Sequence, residues 1–527
     1  MSTRIEFLAP SERPVVTALA SLADANPFLA GRVDLERQAL GRGFTATGEV
    51  WRVEASLDGV NPNLPRLSAQ VEAFARELRR RLAAGARADR EDLLRYEALV
   101  RYLLYARYEN LWLDLVHRGE RGEATTGPVE AYARFASDVE ELLRVPGREL
   151  PYPVDAPQLF AWGYQIRRAF HHTFRRIYGA SMPAARLRAA VWQSIFTFDS
   201  GRYRRALFER MGDIPTLVVG ESGTGKELVA RAIALSRFVP FDAATRCFRA
   251  DYTGLFHALN VAALSPTLVE SELFGHRRGA FTGAIADREG WLESCGPLAT
   301  VFLDEIGELD AGIQTKLLRA LESRVFQRIG ETRERRFSGK IVAATNRDLA
   351  LEMAEGRFRS DFYYRLCADV IRTPTLREQL ADAPEDLHNL LLVIARRVVG
   401  VEEAEPLAGE LAEWVLRSLG RDYAWPGNVR ELEQCVRNWL VRREYRPAAI
   451  AQPGPERVLA DAVARGELGA DELLVRYCTL VYAREGSYER AARRLGLDRR
   501  TVKARVDPSL LVELGVARRR SARPPDG

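Results

Sequence analysis

Apolar positions recur at three- and four-residue steps through the first 180 residues. Leu93, Tyr96, Val100, Leu103, Leu104, Leu111 and Leu115 form one such stripe. It predicts an amphipathic helix, with Asp89 or Asp92 as its N-cap. Phe160, Trp162, Ile166, Phe170, Phe174 and Ile177 form a second stripe. Gly85, Gly119, Gly122, Gly127 and the segment PYPVDAP at 151–157 punctuate the helices. Strand-like alternation is weak here, apart from a short strand pair expected across 45–56. From about 183 the pattern changes. Short β-branched runs at 216–219, 256–260, 300–303 and 341–344 are each followed by a helical pattern. Buried parallel strands with crossover helices read this way. Residues 390–445 are helical again. A loop bearing Pro447, Pro453 and Pro455 leads to a last helical unit at about 457–515.

A chain of 527 residues has room for about three domains. Apolar residues at 47% and charged residues at 28% exclude a disordered or fibrous chain. The net charge of +5 does not by itself make a nucleic-acid binder. The basic residues are nearly all arginine; only Lys226, Lys316, Lys340 and Lys503 are lysine. Any chemistry that needs an ammonium must use one of these four. Five scattered cysteines without a CxxC pair indicate neither a disulfide framework nor a zinc site, and fit a reducing cytoplasm. The opening MSTRIEFLAP has no signal-peptide core. The apolar run at 390–395 stops far short of the ~20 residues of a membrane span. A cytoplasmic protein without a membrane partner is expected.

The first chemistry-bearing motif is Gly220-Glu221-Ser222-Gly223-Thr224-Gly225-Lys226-Glu227, between an apolar strand and a helix. This is the context of a phosphate-binding loop. Its glycines let backbone N–H groups close around phosphate oxygens, and the helix N-terminus adds positive potential. Lys226 would reach the terminal phosphates of ATP. The usual hydroxyl residue after the lysine is replaced by Glu227. A second apolar strand, Val301-Phe302-Leu303, ends in Asp304-Glu305. Asp304 would hold Mg²⁺, directly or through water, and Glu305 would polarise the attacking water.

Between these motifs lies Glu270-Ser271-Glu272-Leu273-Phe274-Gly275-His276, followed by Gly279-Ala280-Phe281-Thr282-Gly283-Ala284. This segment resembles the signature of the bacterial enhancer-binding proteins, NtrC-like AAA+ activators of sigma-54 RNA polymerase. GESGTGKE, with its final Glu, is that family's form of the loop. The resemblance is close over about 183–445, looser over 457–515, and does not cover the first 180 residues. It implies an AAA+ α/β ATPase subdomain at 183–390 and a helical lid at 391–445. It implies that Gly279 through Ala284 tip a loop that touches sigma-54, with Phe281 and Thr282 at the contact. Asn260 would gate Glu305 by hydrogen bonding, and Thr345-Asn346 would sense the γ-phosphate. Arg359 and Arg365, in FRSDFYYRL, would be arginine fingers for a neighbouring subunit's ATP. Arg430, in WPGNVREL, would act as sensor II in the lid. Fingers acting in trans imply a ring, by family a hexamer. Two departures stand out: an extra stretch near 241–254, and TPTLREQ with added residues before Pro384-Glu385-Asp386.

Residues 487–506 read as helix, Gly-containing turn, helix, with Ala491, Ala492, Leu495, Leu497, Val502 and Val506 packed inward. Seven basic side chains stand against two acidic ones. The unit resembles the Fis-type helix-turn-helix that closes these activators. Arg499, Arg500, Thr501, Lys503 and Arg505 would then face enhancer DNA. The tail 516–527 is expected to be disordered.

No lysine precedes Lys226, which excludes a receiver domain in the first 180 residues. That region is expected to be a helical regulatory domain for an unidentified signal or protein partner. Tyr96, Tyr102, Tyr105, Tyr108 and Trp112 read as core packing before ligand pocket, and His171-His172, which point to different helix faces, read as surface or core residues before a metal site. The leading function is a sigma-54-dependent activator, an ATP-hydrolysing ring that binds enhancer DNA and remodels the polymerase. The alternatives are a nucleotide-binding DNA regulator without remodelling, and an AAA+ machine with another target.

Overall fold

The computed structural model describes residues 6–46, 61–447, 455–464 and 466–513. Most of the strand pair expected at 45–56 and the tail 516–527 lie outside them. The chain folds as two compact units, 1–444 and 445–527.

The first unit opens with helices Arg13–Leu22, Ala30–Leu40, Leu64–Ala83, Arg90–Glu120, Tyr132–Leu143, Ala156–Phe174 and Met182–Phe196. Asp89 is the N-cap of the long fourth helix and accepts the Asp92 N–H. Tyr96, Tyr108 and Trp112 are buried in its packed face, whereas Tyr102 and Tyr105 are half-buried beside a cavity of about 170 Å³. The second stripe forms the helix Ala156–Phe174, and Ile177 is buried just beyond its end.

A five-stranded parallel sheet follows. Its strands are β1 (Thr216–Val219), β2 (Phe256–Asn260), β3 (Thr300–Asp304), β4 (Lys340–Thr345) and β5 (Asp369–Arg372), in the order β5-β1-β4-β3-β2. β5 was not expected from the sequence. It is an edge strand of two apolar residues between Asp369 and Arg372, and only Ile371 is buried. Three helices, Asp386–Val399, Val401–Ser418 and Asn428–Arg442, complete the unit.

One hydrophobic core runs from Phe7, just ahead of the first helix, to Ile371 in β5. It contains Val229, Ala230 and Ile233 of the helix after β1, so the N-terminal and α/β regions share their interior. The extra stretch near 241–254 forms the joint. It folds as an antiparallel pair, Phe241–Asp242 with Cys247–Phe248. Phe241 packs on Tyr132 and Phe160, at 4.6 and 4.7 Å between ring centroids, and Phe248 packs on Tyr164 at 4.4 Å. The Val129 N–H donates to the Arg246 carbonyl (2.8 Å), and the Tyr252 hydroxyl donates to the Val116 carbonyl (3.0 Å). Gly163 admits this packing, because a Cβ there would stand 2.1 Å from the Trp112 ring.

Lys340 begins β4 fully buried, its ammonium nitrogen 2.6 Å from the Ile214 carbonyl. Desolvation lowers its pKa from the ordinary 10.5 to about 7. Between these two values the unfolded chain binds the extra proton, so stability rises with pH from about 7 towards 10. Lys340→Met is expected to flatten that rise, read as the denaturant midpoint across the same pH range. An unchanged slope would assign the dependence to other groups.

In the second unit, helices Ala470–Glu485, Tyr488–Leu495 and Arg499–Arg505 close over Val481, Tyr482, Ala491, Ala492, Val502 and Val506. Leu495 and Leu497 are half-buried against that core. Gly496 takes a left-handed φ of 66°, which turns the chain between the last two helices. No helix among the described residues is long and apolar enough to cross a membrane.

Candidate active site

Parallel strands bring their carboxyl ends to one edge, and the site is built there. Register aligns Val219 with Thr345 and Asn260 with Asp304. The loop from Gly220 to Gly225 leaves β1 and enters the helix Lys226–Leu235. Gly223 and Gly225 have φ near +81° and +89°, which a side chain rarely adopts. The loop borders a cleft of about 370 Å³, lined by Ser222 through Val229, Asp304, Glu305, Val429 and Arg430.

Lys226 is buried, and its ammonium bridges the Gly220 and Glu221 carbonyls at 2.9 and 3.1 Å. Desolvation lowers its pKa, against the pull of Glu305 and Asp304. The Asp304 pKa is raised, first by burial and then by the neighbouring Glu305 charge. A bound dication would outweigh both influences on Asp304 and favour its ionised form, so the paired carboxylates fit Mg²⁺. Glu305 stands at φ 57°, ψ 47°, a left-handed conformation that strains a side-chain-bearing residue. Its carboxylate accepts the Asn346 backbone N–H at 3.3 Å.

The other expected site residues hold partners within their own chain. The Asn260 side chain accepts the Ala262 N–H and caps its own turn, without a bond to Glu305. Thr345 is buried, and its hydroxyl accepts the Arg347 N–H (3.1 Å). At this position it is the Asn346 backbone that reaches Glu305. Glu227 is exposed and pairs with Arg231. Arg359 pairs with Asp361, and Arg365 donates to the Leu321 carbonyl; both are exposed, and neither lines the cleft of its own chain.

The last helices of the unit close directly on the loop. Arg430 donates to the Ser222 hydroxyl at 2.8 Å. Asn428 donates to the Glu221 carboxylate and the Ser222 carbonyl, and its own carbonyl oxygen accepts the Leu376 N–H. The Val429 N–H donates to the Gly223 carbonyl, and a Cβ on Gly223 would meet the Gly427 carbonyl at 2.2 Å. Thr373, after β5, bonds the Thr224 hydroxyl at 2.7 Å. Neither Asn428 nor Thr373 has an expected role from sequence. Asn428 lay inside WPGNVREL, so its motif carried the signal.

Support also comes from the N-terminal helices. Arg168 is fully buried and donates to the Leu235 and Arg237 carbonyls at 2.9 and 2.7 Å. It thereby caps the C-terminal end of the loop helix, where a cation is favoured. Tyr164 and Tyr252 flank its guanidinium at 4.6 and 5.1 Å. Arg176, Ile177 and Tyr178 line the same cleft.

The segment 277–287 forms a closed turn beside the sheet. The Gly279 N–H donates to the Ala284 carbonyl (2.8 Å), and the Ala284 N–H donates to the Phe281 carbonyl (3.0 Å). Phe281 is half-buried edge-on to His276 at 4.9 Å, whereas Thr282 is exposed and Ile285 is 84% exposed.

Residues 202–372 match the family described as Sigma-54 interaction domain. This stretch carries that domain. The Nif-specific regulatory protein of Azotobacter vinelandii is 46% identical over 228 residues, covering 43% of this chain and 40% of that protein. The transcriptional regulatory protein ZraR of Klebsiella oxytoca is 40% identical over 305 residues, covering 56% and 63%. The regulatory protein LuxO of Vibrio cholerae is 42% identical over 233 residues, covering 44% and 47%. The chain thus spans about two fifths to two thirds of the length of these relatives. A crystal structure of NtrX from Brucella abortus aligns with 72% of this chain and 80% of its own, at 23% identity and a TM-score of 0.38. The sigma-54 interaction domain, by its bounds, holds the phosphate loop, Asp304-Glu305 and the 279–284 turn, and ends at β5.

Proposed function

We propose that the chain is an ATP-driven activator of sigma-54 RNA polymerase. The observation that carries this reading is the joint placement of Lys226, Asp304 and Glu305 around one cleft in a sigma-54 interaction domain. ATP would enter with its phosphates on the Gly220–Gly225 backbone and Lys226. Asp304 would hold Mg²⁺, which supplies charge neutralisation at the phosphates. Glu305 would take a proton from the attacking water. Arg359 and Arg365 are exposed and do not line their own cleft, which suits fingers that complete a neighbour's site in a hexameric ring. Thr282 and Ile285 give the 279–284 turn an exposed flank, and release of Phe281 from His276 would extend it towards sigma-54.

The C-terminal unit would bind enhancer DNA. Arg499, Arg500 and Lys503 are exposed and suit phosphate or groove contact. Thr501 is engaged by Asp498 at its own helix start, and Arg505 is half-buried and pairs with Asp471 at 3.2 Å. These two would shape the unit more than they read DNA. The N-terminal helices would regulate the ring through their shared core.

Transcription in vitro with sigma-54 polymerase tests the reading. Open complexes are expected with ATP and not with a non-hydrolysable analogue. ATP turnover without any effect on sigma-54 polymerase would refute it in favour of another target.

A further inference from the structure

The chain has only six histidines, and three stand in one patch of the N-terminal helices: His117, His171 and His172. His117 and Glu120 lie one turn apart at the end of the helix Arg90–Glu120. His171 lies near the end of the helix Ala156–Phe174, which packs beside it. One ligand atom from each of His117, Glu120 and His171 falls within 4.8 Å of the others. His171 Nε2 is 2.8 Å from Glu120 Oε1, and the His117 ring stands edge-on to His171 at 5.6 Å between centroids. Among the described residues, no other group of His, Cys, Asp or Glu converges in this way.

We propose that His117, Glu120 and His171 form a binding site for a divalent transition-metal ion of the zinc class. Two imidazole nitrogens and one carboxylate oxygen are a ligand set that zinc accepts, with a further position left open for water. Ligand atoms on ~2.1 Å bonds around a tetrahedral ion stand roughly 3.4 Å apart, so the three groups need only a small swing to meet one. The ion takes the place of the hydrogen bond between His171 Nε2 and Glu120 Oε1, and the proton of that bond leaves to solvent or passes to His171 Nδ1. The backbone beneath is fixed in advance. Tyr252 is hydrogen-bonded to Val116 and fills the space beside Gly119, where a Cβ would stand 2.7 Å from its hydroxyl. His172 is not part of the set. It is buried on the Tyr252 side, 5.7 Å between centroids, with no hydrogen-bond partner at either ring nitrogen. Arg175 and Arg176 act on Glu120 with positive charge, which holds the affinity below that of a closed four-ligand zinc site.

The position gives the site a consequence. His171 lies one turn beyond Arg168, whose guanidinium caps the phosphate-loop helix. An ion bridging the two long helices would fix the helix that carries Arg168. Occupancy would therefore bias the order of the loop helix from the side opposite the nucleotide.

Cobalt(II) added to the metal-free full chain is the probe. One ion per chain is expected, with visible ligand-field absorption that zinc abolishes. His171→Gln and Glu120→Gln should each weaken binding at least tenfold, while His388→Gln, whose histidine pairs with Glu405 elsewhere, should not. Circular dichroism of the metal-free variants checks their fold, and the half-buried His117→Gln carries the test if His171→Gln does not fold. The proposal is overturned if no ligand-field absorption develops, or if it persists in the His117→Gln/Glu120→Gln double variant.

Discussion

Glu305→Gln is expected to lower ATP turnover by about 10²–10⁴-fold, the range that a positioned general base supplies. Nucleotide affinity should stay within a few-fold of the parent. The substitution keeps the side chain's length and an oxygen that still accepts the Asn346 N–H, so the strained backbone at φ 57° retains its anchor. What is lost is the basic oxygen that takes a proton from water. Phosphate release and fluorescent-nucleotide titration separate the two effects. Turnover within threefold of the parent would remove Glu305 from the base role and return attention to Asp304.

Phe160→Ala should produce the largest loss of stability, about 3–5 kcal/mol, typical of deleting a buried aromatic ring. Phe160 is fully buried, with Trp112, Tyr132 and Phe135 on its N-terminal side and Phe241 and Phe248 on the other. The cavity would therefore open on the seam between the two regions. Nucleotide binding and far-UV ellipticity should be lost at the same, lowered denaturant midpoint. If nucleotide binding survived while helical signal fell, the two regions would be energetically independent despite their common core. For the same reason, removing residues 1–180 is expected to strip from the helix Lys226–Leu235 its packing on the helix Ala156–Phe174, and to give an insoluble product.

The placement of residues at the sheet edge was legible because each part is local in sequence. A glycine loop after a strand, an acidic pair ending another strand, and short motifs such as WPGNVREL are each recognisable within a few residues. The N-terminal helices were legible as helices for the same reason, through their apolar periodicity. Their relation to the sheet was not legible. It depends on Phe241, Phe248 and Tyr252, which looked like a spacing anomaly, and on Arg168, one arginine among many. Nothing local marks a buried guanidinium that ends another element's hydrogen-bond ladder. The same holds for His171, whose partners lie 51 and 54 positions upstream. Its neighbour in sequence, His172, turns instead towards Tyr252.

The shared core also bears on how such a chain can be inherited. A regulatory segment joined to a catalytic one by a loose tether can be traded between genes by a single recombination event. Here a cut near residue 180 would part Phe160 from Phe248 and Arg168 from the helix it caps, so a foreign replacement would arrive without its complementary surface. The hairpin at 241–248 and the helices it receives must change together. The break that recombination can use lies at the other end, after Glu444, where the chain passes from one compact unit to the next.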